Sequence, residues 1–122
     1  MVKDIAFSAY PAKDVAKLRA FYVETLGVPF DEPMEFDGVA GYAEAKVGDG
    51  YFSLLLDEWL DRPAGSGAGV AFEVEDLEKL SADLTSKGIA VSEPMVFPVC
   101  KLANFQDPEG NKVTLHQTTV PH

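Results

Sequence analysis

Apolar and polar positions along the chain alternate in two successive programmes of strand-like and helix-like spacing. Ile5 to Tyr10 is apolar and aromatic enough for a buried strand, which Pro11 closes. A helix follows. Asp14 suits its N-cap, Val15, Leu18, Tyr22 and Leu26 recur at helical spacing, and Gly27 suits the stop. One face of that helix must pack on a sheet. Val28 to Phe30 returns to extended structure, Val39 to Val47 is a second extended run, and Gly48-Asp49-Gly50 turns the chain into a strand over Tyr51 to Leu56. The first half therefore reads β-α-β-β-β.

The stretch from Asp61 to Gly67 has linker composition, and the programme then restarts. Gly69 to Val74 reads as a strand, Asp76 caps a helix with apolar positions Leu77, Leu80 and Leu84, and Gly88 ends it. An offset of 61 superposes Gly27 on Gly88, Glu32-Pro33-Met34 on Glu93-Pro94-Met95, Phe36 on Phe97, Gly50 on Asn111, Ser53 on Thr114 and Leu54 on Leu115. An offset held without a gap from Gly27 to Leu54 points to a duplicated unit of about sixty residues. The fold expected is α+β: two tandem βαβββ modules, 1–60 and 68–122, joined by a linker at 61–67 into a single domain over 1–122. Their strands are expected to form a curved mixed sheet with the helices outside and a concave side.

Composition narrows the class. The chain has 122 residues, 47% of them hydrophobic and 25% charged, which suits one globular unit with a real core. Its formal charge of −10 repels phosphate backbones and anionic membrane surfaces, so neither nucleic acid nor membrane is an expected partner. Cys100 is the single cysteine, the start lacks a signal-peptide pattern, and no apolar run approaches a membrane span; a cytoplasmic location is expected.

Several stretches carry a family resemblance: the opening strand with Pro11-Ala12-Lys13-Asp14, the helix with Phe21-Tyr22 ending in Leu26-Gly27, Val74-Glu75-Asp76, and Asp107-Pro108-Glu109-Gly110-Asn111. The last reads locally as a turn, with Asp107 bonding its backbone, Pro108 presetting φ and Gly110 accepting φ > 0. Together these features resemble the vicinal oxygen chelate superfamily of glyoxalases, bleomycin-resistance proteins and dioxygenases, over nearly the whole chain. The resemblance implies the fold above, and in metal-dependent members a divalent ion held by His and Glu from the opening and closing strands. Seven residues before each capping aspartate, those positions are Phe7 and Gly69; before the leucine of each closing strand they are Ser53 and Thr114. Extra residues around Tyr10-Pro11 leave open a shift that brings Asp4 to the first position. Two hydroxyls, a phenyl ring and a glycine do not offset the desolvation of a divalent cation, so no metal cofactor is expected and the metal-free, bleomycin-resistance-like branch is the nearer match.

Strand alternation puts Lys112, Thr114 and His116 on one face, with Tyr51, Ser53 and Leu55 oriented likewise by the repeat, and Phe52, Leu54 and Leu56 beneath the helices. His116 is either a hydrogen-bonded structural residue or a ligand contact able to exchange a proton. Ser53 and Thr114 are ordinary strand hydroxyls or anchors for a polar ligand, and Cys100 is a packed thiol or, with a base, a nucleophile. Tyr10, Tyr42, Tyr51, Trp59 and Phe105 are candidates for stacking on a planar ligand. Glu73, Glu75, Glu78 and Asp83 are read as solvated acidic helix faces. The function expected is binding of a small aromatic or amphipathic molecule, to sequester or sense it. The alternatives are a metal-dependent lyase or oxygenase with atypical ligands, and an interaction module without a small ligand. The resemblance also implies a homodimer.

Overall fold

Both halves of the chain build the same strand order. The computed structural model describes residues 1–120. The first half contains β1 (Ser8–Ala12), α1 (Val15–Leu26), β2 (Met34–Phe36), β3 (Val39–Val47) and β4 (Gly50–Leu56), followed by a short helix α2 (Asp57–Leu60). The second contains β5 (Val70–Glu73), α3 (Leu77–Ser86), β6 (Met95–Val96), β7 (Cys100–Gln106) and β8 (Lys112–Thr118). One four-stranded sheet runs β1-β4-β3-β2 and the other β5-β8-β7-β6. In each, the opening strand pairs parallel with the closing strand and the other pairings are antiparallel. The class is thus α+β, two βαβββ modules.

The helices start where the sequence places them, and for the expected reason. Asp14 and Asp76 lie in extended conformation and each accepts a hydrogen bond at 3.0 Å from the amide three residues on, Lys17 and Lys79. Gly27 closes α1 at φ 65°, and Lys87 followed by Gly88 closes α3. In the first unit, Val15, Leu18 and Tyr22 of α1 are buried together with Ala43, Ala45, Phe52 and Leu54 of the sheet. Tyr22, Tyr10 and Phe30 all meet Phe52 edge-on or tilted, with ring centroids 5.3 to 5.7 Å apart. The second unit buries Leu77 and Leu84 of α3 and Ala103, Phe105, Val113 and Leu115 of β7 and β8. Replacing a buried leucine of either core by alanine costs about 2–5 kcal/mol.

Four features depart from the sequence reading. The first strand is Ser8–Ala12, not Ile5–Tyr10: Ile5 is exposed and Pro11 lies within the strand. Because β1 is an edge strand, the missing amide of Pro11 breaks no ladder on its free side. The second strand is Met34–Phe36, not Val28–Phe30, where Phe30 makes an isolated bridge to Ala45. The 61-residue offset also slips. Ser8 and Val70 are equivalent by their partners Phe52 and Val113, whereas Ser53 faces Glu44 and Thr114 faces Asn104, so the offset is 62 on the opening strands, 61 on the closing strands and 60 between β3 and β7. Finally, Glu73 belongs to a strand and not to a helix face.

The chain divides into two compact units, Met1–Gly67 with Asp107–Asn111, and Ala68–Gln106 with the segment beginning at Lys112. The Asp107–Asn111 turn, which joins two strands of the second unit, is therefore built into the first. Asp107 is buried and its carboxylate accepts four hydrogen bonds: Oδ1 from the amides of Glu109 (2.9 Å) and Asn111 (3.0 Å), Oδ2 from Tyr22 Oη (2.7 Å) and Asn111 Nδ2 (2.9 Å). Burial, then the adjacent Asp107 charge, push the Tyr22 phenol far above its usual range, so it stays a donor. Asn111 Nδ2 also reaches the Pro11 carbonyl, and its Oδ1 accepts from the Gly67 amide. A methyl group at Gly67 would meet the Tyr10 ring at 2.6 Å and Asn111 Oδ1 at 2.8 Å, which explains the glycine in the linker. Glu109 accepts from the amides of Lys13 (2.6 Å) and Asp14 (3.0 Å), placing negative charge at the start of α1.

Candidate functional site

Each sheet has one face covered by its long helix and one helix-free face, and side-chain alternation distributes the candidate residues between them. On the helix-free face of the first sheet, Tyr51, Ser53 and Leu55 of β4 stand beside Lys46, Glu44 and Tyr42 of β3. Ala9 and Pro11 of β1 flank Ser53 and Leu55 on the other side. Ser53 is fully buried and its hydroxyl shares a 2.9 Å hydrogen bond with Tyr42 Oη. Phe7 packs edge-on against Tyr42, with centroids 6.1 Å apart. Phe7 and Tyr51 keep 45% and 41% of their surface exposed, so aromatic area is available here to a ligand.

Two of the aromatic candidates lie elsewhere in this unit. Tyr10 belongs to the core beneath α1: strand β1 begins later than expected, and alternation then turns Tyr10 with Phe52 toward the helix. Trp59 sits on the short helix α2, over the face that carries Ala43 and Ala45, opposite Ser53. Its indole lies against Gly41, where an added methyl group would overlap the ring. With Phe36 at 5.8 Å, and with Val39 and Asp37, it lines a shallow depression of about 460 Å³.

In the second unit, Lys112, Thr114 and His116 of β8 share the helix-free face with Gln106, Asn104 and Leu102 of β7 and with Ala71 and Glu73 of β5. Thr114 Oγ1 donates to Asn104 Oδ1 at 2.7 Å. His116 Nδ1 lies 2.6 Å from Glu73 Oε1, and Glu73 Oε2 accepts from the Thr118 amide at 2.8 Å. The Thr118 amide, then the imidazole, hold the Glu73 carboxyl below its usual range. Cys100 is a half-buried free thiol at the far end of β7, paired in register with Thr118, and Gly69 lies open just before β5. Phe105 faces α3 and is buried with Val113, since its register partner is itself a core residue.

The sequence reading took Glu73 for one of the solvated acids and passed over Asn104. Both become visible only through strand register, Glu73 beside His116 and Asn104 beside Thr114. The available signal for Glu73 was its position three residues before the capping Asp76, which places it in the strand.

The positions that the resemblance assigns to metal ligands do not offer a ligand set. In the first unit they are a phenyl ring and Ser53, which is engaged with Tyr42; in the second, a glycine and Thr114, which is engaged with Asn104. One neutral hydroxyl in each unit does not fit a divalent cation that needs imidazole or carboxylate donors. Asp4 lies ahead of β1, and its carboxylate accepts from the Ile5 amide. Among the described residues, no three His, Cys, Asp or Glu side chains gather as a metal site.

The Glyoxalase/Bleomycin resistance protein/Dioxygenase superfamily matches residues 5–115. Among solved structures, the chain is similar to TnmS3, an antibiotic binding protein from Streptomyces sp. CB03234, with 28% identity over 97% of this chain and 98% of that one and a TM-score of 0.80. A glyoxalase/bleomycin resistance protein from the same Streptomyces is 32% identical over 93% of this chain and all of its own, with a TM-score of 0.75. The lactoylglutathione lyase of Agrobacterium tumefaciens shares the fold, with a TM-score of 0.76 at 18% identity, over 96% of this chain and 95% of that one. No curated protein matches the sequence.

Proposed function

The chain belongs to the glyoxalase/bleomycin resistance protein/dioxygenase superfamily, and from that premise we propose that it binds a small aromatic or amphipathic molecule without a metal ion, sequestering or sensing it. The observation that carries this reading is the chemistry of the helix-free faces. Where a metal-dependent relative would present imidazole or carboxylate, this chain presents Ser53 and Thr114, while exposed Phe7 and Tyr51 and the half-buried Tyr42 offer ring surface around Ser53. The likeness to an antibiotic binding protein supports it. Each unit has its own candidate contacts in this reading: Phe7, Tyr42, Tyr51 and Leu55 on the first, with Ser53 buried behind the Tyr42 hydroxyl, and Gly69, Cys100, Thr114 and His116 on the second.

A thermal-shift panel of aromatic antibiotics and related planar compounds, run with and without a chelator, tests the proposal. A true ligand at a hundredfold excess over its Kd stabilises the fold by about 2.7 kcal/mol, a shift of several degrees, equal in both conditions. If no compound shifts the transition, or if the chelator abolishes every shift, the reading fails. The same reading includes a homodimer, supported by the apolar residues that both hairpins expose, Phe36 and Val39 on one and Met95 and Val96 on the other. Light scattering that gives a monomer at micromolar concentration would remove it. A cytoplasmic location is part of the proposal too, supported by the free thiol of Cys100; no helix is long and apolar enough to cross a membrane among the described residues.

A further inference from the structure

The duplication supplies an internal control for every rung of the two sheets. At one rung the modules agree: Ala9 stands beside Ser53, and Ala71 beside Thr114, a small residue next to a hydroxyl in both. At the following rung they part. The first module holds Pro11 beside Leu55, and the second holds Glu73 beside His116. The parallel pairing of opening and closing strands is the same in both, so the fold does not require a charged pair there; an apolar pair serves it. Glu73 and His116 are present for something other than the strand pairing they occupy.

Their geometry indicates what. Glu73 is fixed by the Thr118 amide at 2.8 Å and faces His116 Nδ1 at 2.6 Å. A carboxylate only accepts, so Nδ1 carries the proton and the lone pair of the neutral ring is on Nε2. A carboxylate behind an imidazole orients the ring, fixes its tautomer and stabilises the imidazolium once it forms. The His116 side chain is 29% exposed, on the helix-free face. Its neighbours there are Leu102 on β7, without charge, and Thr114 one rung along β8, with the Lys112 ammonium two rungs away on the same face. The Lys101–Glu78 pair belongs to the helix side of the sheet.

We infer that His116, positioned by Glu73, is the proton acceptor for an acidic hydroxyl of the bound molecule, so that the ligand class is a phenol or enol. This rests on the reading that the chain binds an aromatic small molecule. On binding, the ligand's O–H bond breaks, the oxygen keeps the electron pair, and the proton bonds to Nε2. The products are an oxyanion and an imidazolium backed by Glu73, with no redox change and no further reactant.

The test compares 4-nitrophenol, whose ionised form alone absorbs in the visible range, with its methyl ether 4-nitroanisole, which has no proton to give. The wild-type protein is expected to prefer the phenol by about tenfold or more, the value of one charge-assisted hydrogen bond, and to hold it ionised at a pH where the free phenol is neutral. His116→Leu installs the residue the first module uses at this rung, and should keep the fold while losing both the preference and the visible band. Glu73→Gln should weaken the band, an effect that a merely structural pair would not produce, and 15N shifts of His116 report the ring's tautomer in both proteins. Equal binding of the two probes, a bound phenol that stays neutral, or a His116→Leu variant that keeps the preference overturns the inference while binding of nitroanisole leaves the aromatic reading standing. If neither probe nor any panel compound binds, both fall.

Discussion

The two sheets share strand order, parallel closure and a capped helix, yet they differ in three places: the turn between their last strands, the packing on the helix side, and the chemistry of the helix-free face. The first sheet turns through Gly48 and Asp49, in solvent; the second turns through Asp107–Asn111, whose side chains are built into the first unit. Packing on the helix side is aromatic in the first unit, around Phe52, and mostly aliphatic in the second, around Val113 and Leu115. The helix-free face carries aromatic rings in the first unit and the Thr114–Asn104 and His116–Glu73 pairs in the second. Since the topology is the same, what differs was not needed to form it, and the helix-free faces are where binding chemistry has room to diverge.

The turns give the largest contrast. Asp107→Ala leaves Tyr22 Oη and two amides of a buried network without their acceptor, an expected cost of about 3 kcal/mol or more. Asp49→Ala, at the corresponding turn of the first module, touches an exposed residue and should change stability by less than about 0.5 kcal/mol. Urea denaturation of both variants measures the difference, and equal costs would show that Asp107 is an ordinary turn residue.

The next contrast is on the helix side, on the interior strands β3 and β7. Gly41 seats the Trp59 indole in the first unit, whereas the equivalent strand position in the second is Lys101, paired with Glu78 of α3 at 3.2 Å. Gly41→Ala should displace the ring and cost about 1–3 kcal/mol by overpacking, with a change in the emission of the single tryptophan. Lys101→Ala removes an ion pair whose glutamate is 76% exposed and should cost under about 1 kcal/mol.

Much of this was legible in the sequence, because caps and local periodicity act over a few residues. Asp14, Gly27 and Asp76 set helix ends by bonds to their own neighbours, and Leu18, Leu77 and Leu84 follow helical spacing into the cores. The features that escaped depend on register or on distant partners. Pro11 looked like the end of a strand because its tolerance depends on the edge position, and the same displacement put Tyr10 in the core. Trp59 is placed by the absence of a side chain at Gly41, eighteen positions earlier in the chain. Glu73 resembled one more surface acid, since only the parallel register sets it beside His116.

The smallest contrast is a matter of pH. Glu73 carries a carboxyl whose hydrogen bonds from Thr118 and His116 hold it below its usual range, and Pro11, its counterpart in the first module, carries nothing that titrates. A carboxyl depressed in the fold binds its proton less readily there than in the unfolded chain, so the unfolded state takes up protons first as pH falls. Its stabilising effect is thus complete above the unfolded value of about 4.3 and disappears as pH drops through the lower folded value. Glu73 is mostly exposed, so solvent screening keeps the effect small, about a degree in Tm. Wild-type protein should therefore melt slightly above Glu73→Gln at pH 6, and the two curves should converge in acid below pH ~4. Pro11→Ala should instead show a difference from wild type that does not vary across the same range. A Glu73→Gln difference equally flat with pH would mean that the carboxylate charge is not what the Thr118 amide and His116 stabilise, and would remove the physical basis for treating the second rung of the two sheets as chemically distinct.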